Sequence, residues 1–580
     1  MGKSKVDPMS VEGIDYNMLF GKDVGLSLDN KKTNRSANVL VIGGTGTGKT
    51  FRYIKPNILQ ENCSQIITDP SGDLFNSFAP YLISRGYNVY LFNASDMTLS
   101  NHYNPLMNVY DSNGNISEIQ VDILVDLYMK NAKAGKEAGG GDPFWDKSEK
   151  AFLTAIIYYV LENDEIPMED KCFRTVLEKV QLAKVSDEDS GEDVESPLTQ
   201  EINAFVDRCE KQGKKQKTKI YYDTFLVAPS KTANTILITT AVDLQIFATE
   251  NVDRLTRYNA KYPDLNINLD DIASTQSYLF LGIPQAHSAY NFLIAMLYSQ
   301  LYGRLYELGE NGFKGKFFLE RKVGIPKFNP FDSKEDAEEF RATVTKYNIK
   351  ENDYINGLKI YYIIWKGKIY KKSFVRERLE ELIDELPKMS IRQNDPTEVT
   401  LPIHVNFLLD EFKNIGEIPN FLTILSTSRK YRIGSHPIIQ DIGQIKTMYK
   451  DGEHETLLAN VDTTIFLGSI LTEDKEYIQK LCGKTTIKQR STSSQNSGLS
   501  TSYTPTEVDL LSINDITRIN DPNTGQNRAI IVIRDLDPFI VDKLNLLEHP
   551  RFINGVKKVD KKFNLKQYFK NNEETILEKA

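Results

Sequence analysis

The stretch "NVLVIGGTGTGKTFRYIKPNIL", from Asn38 to Leu59, leaves this chain the least freedom. Val39 to Ile42 form a short apolar run that stops at Gly43 and Gly44, the pattern of a buried strand ending in a turn. Gly43, then four residues, then Gly48, Lys49 and Thr50 satisfy G-x-x-x-x-G-K-[ST], so a helix is expected to open at Thr50. Glycines let the backbone curl until its N–H groups and the helix N-terminus face a polyphosphate. On this reading Gly43, Gly44, Thr45, Gly46, Thr47, Gly48, Lys49 and Thr50 cradle a nucleotide, with ATP and Mg²⁺ as the expected cofactors. Lys49 would reach the β- and γ-phosphates, and the Thr50 hydroxyl would ligate the metal.

The grammar around the motif alternates. "SQIITDPSGDLF" predicts a strand ending at Asp69 and "YNVYLFNASD" another ending near Asn93, with a helical "NSFAPYLISRG" between them. This βαβ order implies an α/β fold with a parallel sheet. From about Asn108 the pattern turns to long helical stretches, so 108–248 reads as an all-helical insertion. Strand grammar returns at "QSYLFLGIP", pauses over 315–400 for a small mixed α/β insertion, and resumes at "IHVNFLLDEF", an apolar run typical of a strand buried on both faces. The nucleotide-binding domain is thus expected in three pieces, 1–107, 249–314 and 401–550. The Ser/Thr/Gln-rich "RSTSSQNSGLSTSYT" predicts a mobile loop, and the charged tail 551–580 a peripheral segment.

A P-loop alone binds nucleotide, whereas hydrolysis also needs a carboxylate near the Mg²⁺ and a group that orients water. "FLLDE" supplies both: Asp410 to hold the metal and Glu411 to polarise the water. Gln440 ends the next apolar run, where it either reports on the γ-phosphate or is an ordinary polar strand terminus. Arg429 and Arg432 in "STSRKYR" are candidates for an arginine acting across a subunit boundary, or else surface arginines. Asp69 and Asp73 in "DPSGDL" could tune the metal's surroundings or a subunit contact, or simply form the turn.

The totals exclude several classes. A length of 580 residues implies roughly three or four domains. The 40% apolar and 26% charged fractions are those of a globular protein, neither membrane-embedded nor disordered. A net charge of -8 leaves DNA binding open, because a channel can confine its basic residues. The acidic "SDEDSGEDVES" and basic "KKQKTK" runs read as solvated loops or helix faces, with a contact surface for a partner as the alternative. Four separated cysteines with no CxxC pair suit reduced packing residues in a cytosolic compartment, and no histidine sits in an HExxH array. Apolar runs such as "AFLTAIIYYVL" fall short of a membrane span, so the chain is expected to be soluble.

In order along the chain, "GGTGTGKT", "IITDPSGDL", "NHYNPL", "DPFWDKSEKAFLTAI", "LLDEFKNIGEIPNF", "STSRKYRIGSHPIIQDIGQI" and "NVDTTIFLGS" resemble the type IV coupling proteins of conjugative DNA transfer, in their Gram-positive form. The likeness runs from about residue 35 to residue 550. It implies a RecA-type P-loop NTPase with a mostly parallel central sheet, an all-α inserted domain that contacts substrate, and a homo-hexameric state. By the same resemblance Lys49 and Thr50 match the Walker A residues, Asp410 and Glu411 the Walker B pair, Gln440 the glutamine of the third motif, and Arg429 the trans-acting arginine. The implied partners are single-stranded DNA, a relaxase with its relaxosome proteins, and the ATPases and membrane components of a type IV secretion channel. The implied place is the cytoplasmic face of the cell membrane.

Two departures stand out. Members of the family usually begin with membrane-spanning helices and reach the P-loop well over a hundred residues in, whereas Lys49 lies near the start here. The expectation is a soluble form lacking that region or tethered by another protein, with a monomer in solution compatible with the lost anchor. Ser71 and Asp73 replace the lysine and glutamate of the family's DPKGE. Beside the DNA translocase stand two rival functions: a nucleotide-gated docking platform for the relaxosome, and a ring ATPase that exports protein.

Overall fold

The computed structural model describes residues 17–111, 114–132, 143–183, 196–284, 289–321, 325–354, 357–495, 498–520, 525–559 and 568–569. The acidic run from Ser186, up to Glu195, and the opening "MGKSKVDPMS" lie outside them. The chain forms two compact units, Met1–Thr68 with Ile403–Asp560, and Asp69–Pro402 with Lys561–Ala580.

The first unit is built on a mostly parallel sheet. Its strands lie in the order Phe539–Asp542, Arg528–Ile533, Thr463–Gly468, Val39–Gly43, Ile433–Ile439, Val405–Leu409, Ser64–Thr68. The last five are mutually parallel, and the first two add an antiparallel edge. Every residue of Val39–Gly43, Val405–Leu409, Ile433–Ile439 and Thr463–Gly468 is buried, which explains apolar stretches such as Val39–Ile42 and Phe407–Leu409. Each such Val, Leu or Ile stabilises the unit by about 1.5–3 kcal/mol. The P-loop strand Val39–Gly43 and the acidic strand Val405–Leu409 are separated by the glutamine strand Ile433–Ile439, so the C-terminal ends of all three meet on one edge.

In the second unit Asn88–Asn93 and Ser277–Gly282 pair in parallel, and the helix Asn291–Glu307 follows with a buried stripe that includes Leu293, Leu297 and Leu301. Between them come the helices Glu118–Ala132, Pro143–Glu162, Phe173–Gln181, Pro197–Lys211, Thr218–Leu226 and Ser230–Leu244. Pro197–Lys211 shows why such stretches are helical. Ser196 caps it by accepting the Thr199 N–H at 3.1 Å, Pro197 occupies the first turn, and Leu198, Ile202, Phe205, Val206 and Cys209 bury one face. The basic run is a solvated face, with Lys214 paired to Asp164 at 2.6 Å. Further along, the antiparallel strands Ile349–Asp353, Lys359–Trp365 and Lys368–Ser373 and the helices Lys334–Thr343 and Arg376–Glu385 enclose Phe328, Phe331, Phe340, Trp365 and Tyr370.

Two expectations need correction. The Ser/Thr/Gln-rich stretch is not a loop: Lys484–Gln495 and Gly498–Asp509 pair as a long antiparallel hairpin. Paired backbone groups there replace the core that its side chains cannot form, and threonine suits extended backbone. The tail is not wholly peripheral. Tyr568 packs on Phe374 and Tyr354 at ring distances of 5.2 and 5.9 Å, and Phe569 lies 6.0 Å from Phe75. All four cysteines are buried free thiols. Among the described residues no helix is long and apolar enough to cross a membrane.

Candidate functional site: a phosphate loop facing an acidic strand end

The loop after Val39–Gly43 takes its shape from glycine. Gly46 and Gly48 have φ of 79° and 92°, in the left-handed region that side chains disfavour. A Cβ on Gly48 would also lie 2.7 Å from the Arg52 side chain. The Gly44 N–H donates to the Gly468 carbonyl at 2.9 Å and the Thr47 hydroxyl to the Gly44 carbonyl at 2.8 Å, closing the arc. Lys49 is buried, and its ammonium donates to the Gly43 carbonyl at 2.7 Å, which places the charge inside the arc. Helical backbone begins at Lys49, one residue before the expected start, as a wide π turn, Lys49–Ile54, that passes into Lys55–Ile58. Pro56 has no N–H and its ring crowds the carbonyl four residues back, which the widened turn relieves.

Opposite the loop, the acidic strand ends in two carboxylates with separate hydrogen-bond partners. Asp410 accepts the Thr50 hydroxyl at 3.1 Å and the Glu411 N–H at 3.0 Å. Glu411 has φ 49°, a left-handed turn that breaks the alternation of the strand and aims its carboxylate at Gln440. The Gln440 amide, just past the end of the glutamine strand, donates to both Glu411 oxygens at 3.2–3.3 Å. Lys49, Thr50, Asp410, Glu411 and Gln440 therefore share one edge of the first unit.

A hydroxyl and a carboxylate in contact form the hard oxygen pair that suits Mg²⁺. Among the described residues no cluster of three or more His, Cys, Asp or Glu side chains could hold a metal, so Mg²⁺ here would draw on Thr50, Asp410, water and phosphate oxygens. Burial, and then the neighbouring Glu411 charge, push the Asp410 carboxyl up to about 6. A raised carboxylate binds its proton below that value, and the proton competes with metal. Mg²⁺ affinity in the presence of ADP is accordingly expected to fall as pH drops from about 7 to 5, by nearly tenfold per unit below about 6. Calorimetric titration of wild type against Asp410→Asn, which cancels the nucleotide's own titration, checks this; parallel profiles would remove Asp410 from the metal's shell.

Other sequence candidates lie apart. Arg429 belongs to the turn before the N-terminal end of the glutamine strand, whose seven residues separate it from Gln440. That is about 20 Å at roughly 3.3 Å per residue. Its guanidinium donates to Asn34 Oδ1 and its carbonyl accepts from Asn30 at 2.8 Å. Arg432 has φ 60°, and its carbonyl accepts the Val405 N–H at 3.0 Å, opening the pairing of the glutamine and acidic strands. In the second unit, buried Asp69 accepts the Phe75 N–H at 2.8 Å, which anchors the start of the helix Asp73–Ser84 and suits the turn-forming alternative.

Sequence reasoning missed two groups. Asp474 accepts the Ile442 N–H at 2.9 Å and the Ser469 hydroxyl, tying the segment after Gln440 to the loop after Gly468. Lys543 donates to the Thr47 carbonyl at 3.2 Å. Neither sits in a spaced motif, so no signal in the sequence marks them.

A parallel sheet whose P-loop, glutamine and acidic strands end together at such a site defines a RecA-type P-loop NTPase. More narrowly, the chain belongs to the type IV secretory system conjugative DNA transfer family, whose model matches residues 9–351 and 370–569. The unbound monoclinic form of the bacterial conjugative coupling protein TrwBdeltaN70 aligns over 92% of this chain and 90% of its own, with a TM-score of 0.50 at 12% identity. The plasmid coupling protein TrwB in complex with ADP and Mg²⁺ aligns over 94% and 93%, again with a TM-score of 0.50 at 12% identity. At that identity both likenesses are of fold. Protein VirD4 of Agrobacterium fabrum is 35% identical over 89 residues, 15% of this chain and 13% of that protein, so only a small part of the relative's length is matched.

Proposed function

We propose that this chain is an ATP-driven coupling protein that recruits relaxase-bound single-stranded DNA and delivers it to a type IV secretion channel, working as a homo-hexamer at the cytoplasmic face of the cell membrane. Family membership supports the coupling role, and the hydrogen-bonded series Thr50–Asp410–Glu411–Gln440 is the observation that carries the enzymatic part. The TrwB complex with ADP and Mg²⁺ supports the choice of cofactors. Mg²⁺ held by Thr50 and Asp410 would supply neutralising charge to the β- and γ-phosphate oxygens. Lys49 adds a cation from within the loop. Glu411 orients the attacking water and takes up its proton, while Gln440 holds the Glu411 carboxylate in place. A site that only bound nucleotide would need no such carboxylate, which favours hydrolysis over a passive docking platform.

The test is ATP turnover across a range of protein concentrations, with and without single-stranded DNA. Under this reading DNA raises the rate, and the rate per molecule climbs with protein concentration as rings form. Nucleotide binding without turnover under any condition would favour the docking platform. Turnover indifferent to DNA but raised by a protein substrate would favour protein export.

A further inference from the structure

Lys543 follows the edge strand Phe539–Asp542, remote in sequence from the P-loop, yet it is buried with only 7% of its surface exposed. Its ammonium makes one hydrogen bond among the described residues, to the Thr47 carbonyl at 3.2 Å, and no carboxylate there lies within ion-pair distance. Burial and the nearby Arg52 guanidinium pull the ammonium down to about 8. A buried cation without an acid is destabilising on its own, so its placement calls for a compensating use. Arg52, from the turn that follows the loop, donates to the Leu544 carbonyl at 3.0 Å and fixes the chain beside Lys543.

The position of the contact matters. A trans peptide is planar, so the Thr47 carbonyl and the Gly48 N–H point in opposite directions from one rigid plate. The N–H groups of a phosphate loop must face inward. A cation that holds the Thr47 carbonyl from outside therefore turns the Gly48 N–H inward, and its field polarises that N–H as a donor. Three other loop carbonyls already have donors from within: Lys49 on Gly43, Thr47 on Gly44 and the Arg52 N–H on Gly48. The Thr47–Gly48 plate, flanked by two glycines of positive φ, is held from elsewhere.

We propose that Lys543 is a positioning residue for nucleotide binding: its ammonium sets the Thr47–Gly48 peptide so that the Gly48 amide faces the phosphates. This rests on the nucleotide reading above. The experiment measures MgADP affinity by calorimetry, and P-loop amide hydrogen exchange in nucleotide-free protein, for wild type, Lys543→Met and Lys543→Arg. Lys543→Met is expected to weaken MgADP about tenfold, the effect of one charge-assisted hydrogen bond, and to speed Gly48 exchange with the melting temperature of the nucleotide-free protein unchanged or raised. Lys543→Arg, which keeps the charge and the donors, is expected to stay within about threefold of wild type. If Lys543→Met does not fold, Lys543→Gln takes its place under the same criteria. Wild-type affinity and wild-type Gly48 exchange in the neutral variant would overturn the inference while leaving the nucleotide site standing. Wild type that binds no MgADP would overturn both.

Discussion

Glu411→Gln is expected to lower ATP turnover about 10³-fold while MgADP affinity stays within about threefold of wild type. The split follows from the geometry. Thr50 and Asp410 bond to each other and Lys49 to the loop, so the groups that would hold phosphate and metal take no hydrogen bond from the Glu411 carboxylate, whose charge only raises the Asp410 carboxyl. Glutamine keeps the shape of the side chain but cannot take a proton from water. The backbone carries a further signature. A left-handed glutamate costs about 1 kcal/mol or more against glycine, so Glu411→Gly should be at least as stable as wild type and equally inactive. Steady-state turnover, calorimetry and thermal melting decide the matter; a Glu411→Gln variant with near-normal turnover would transfer the water-orienting role to another residue.

Arg429→Ala is the second large effect: a loss of about 10³-fold in turnover at concentrations where rings form, with nucleotide affinity unchanged. The glutamine strand sets Arg429 about 20 Å from Gln440, beyond the reach of an arginine side chain, so it cannot serve the site of its own subunit. Any catalytic role must be played in a neighbouring copy. Mixing gives the sharper readout. Arg429→Ala and Glu411→Gln subunits are each inactive alone, but in mixed rings a Glu411→Gln neighbour can lend its intact arginine to a site with intact Glu411. Recovery of turnover on mixing would support action in trans. Activity of Arg429→Ala equal to wild type at every concentration would make Arg429 a surface arginine that fastens the Asn30–Asn34 turn.

Much of the first unit was legible because its chemistry leaves few alternatives. A phosphate loop needs Gly43, Gly48, Lys49 and Thr50 at fixed spacing, and strands buried on both faces carry apolar runs such as "VLVI" and "FLL". Gln440 stood out because it closes the apolar run in "PIIQ". The misses share a different cause. The paired strands Lys484–Gln495 and Gly498–Asp509 are held by backbone pairing, which leaves no periodic apolar trace. Tyr568 and Phe569 sit amid a charged tail whose composition hides two anchors. Lys543 acts through one main-chain carbonyl, a contact that nothing in "FIVDKLN" encodes. Such long-range, one-residue contacts exist only once the fold has been assembled.

The first unit draws on Met1–Thr68 and Ile403–Asp560, with the other unit threaded between them. For a chain emerging from a ribosome this division sets a waiting time. The P-loop strand is made early, yet its sheet neighbours Ile433–Ile439 and Thr463–Gly468 come some 400 residues later. At about 5–20 residues per second that delay is roughly 20–80 s. During it the apolar Val39–Ile42 has no sheet to join, while the second unit, nearly continuous in sequence, can already fold. The newborn protein thus passes through a stage with an unpaired, aggregation-prone strand, and chaperone supply during synthesis should govern its yield more strongly than the stability of the finished molecule.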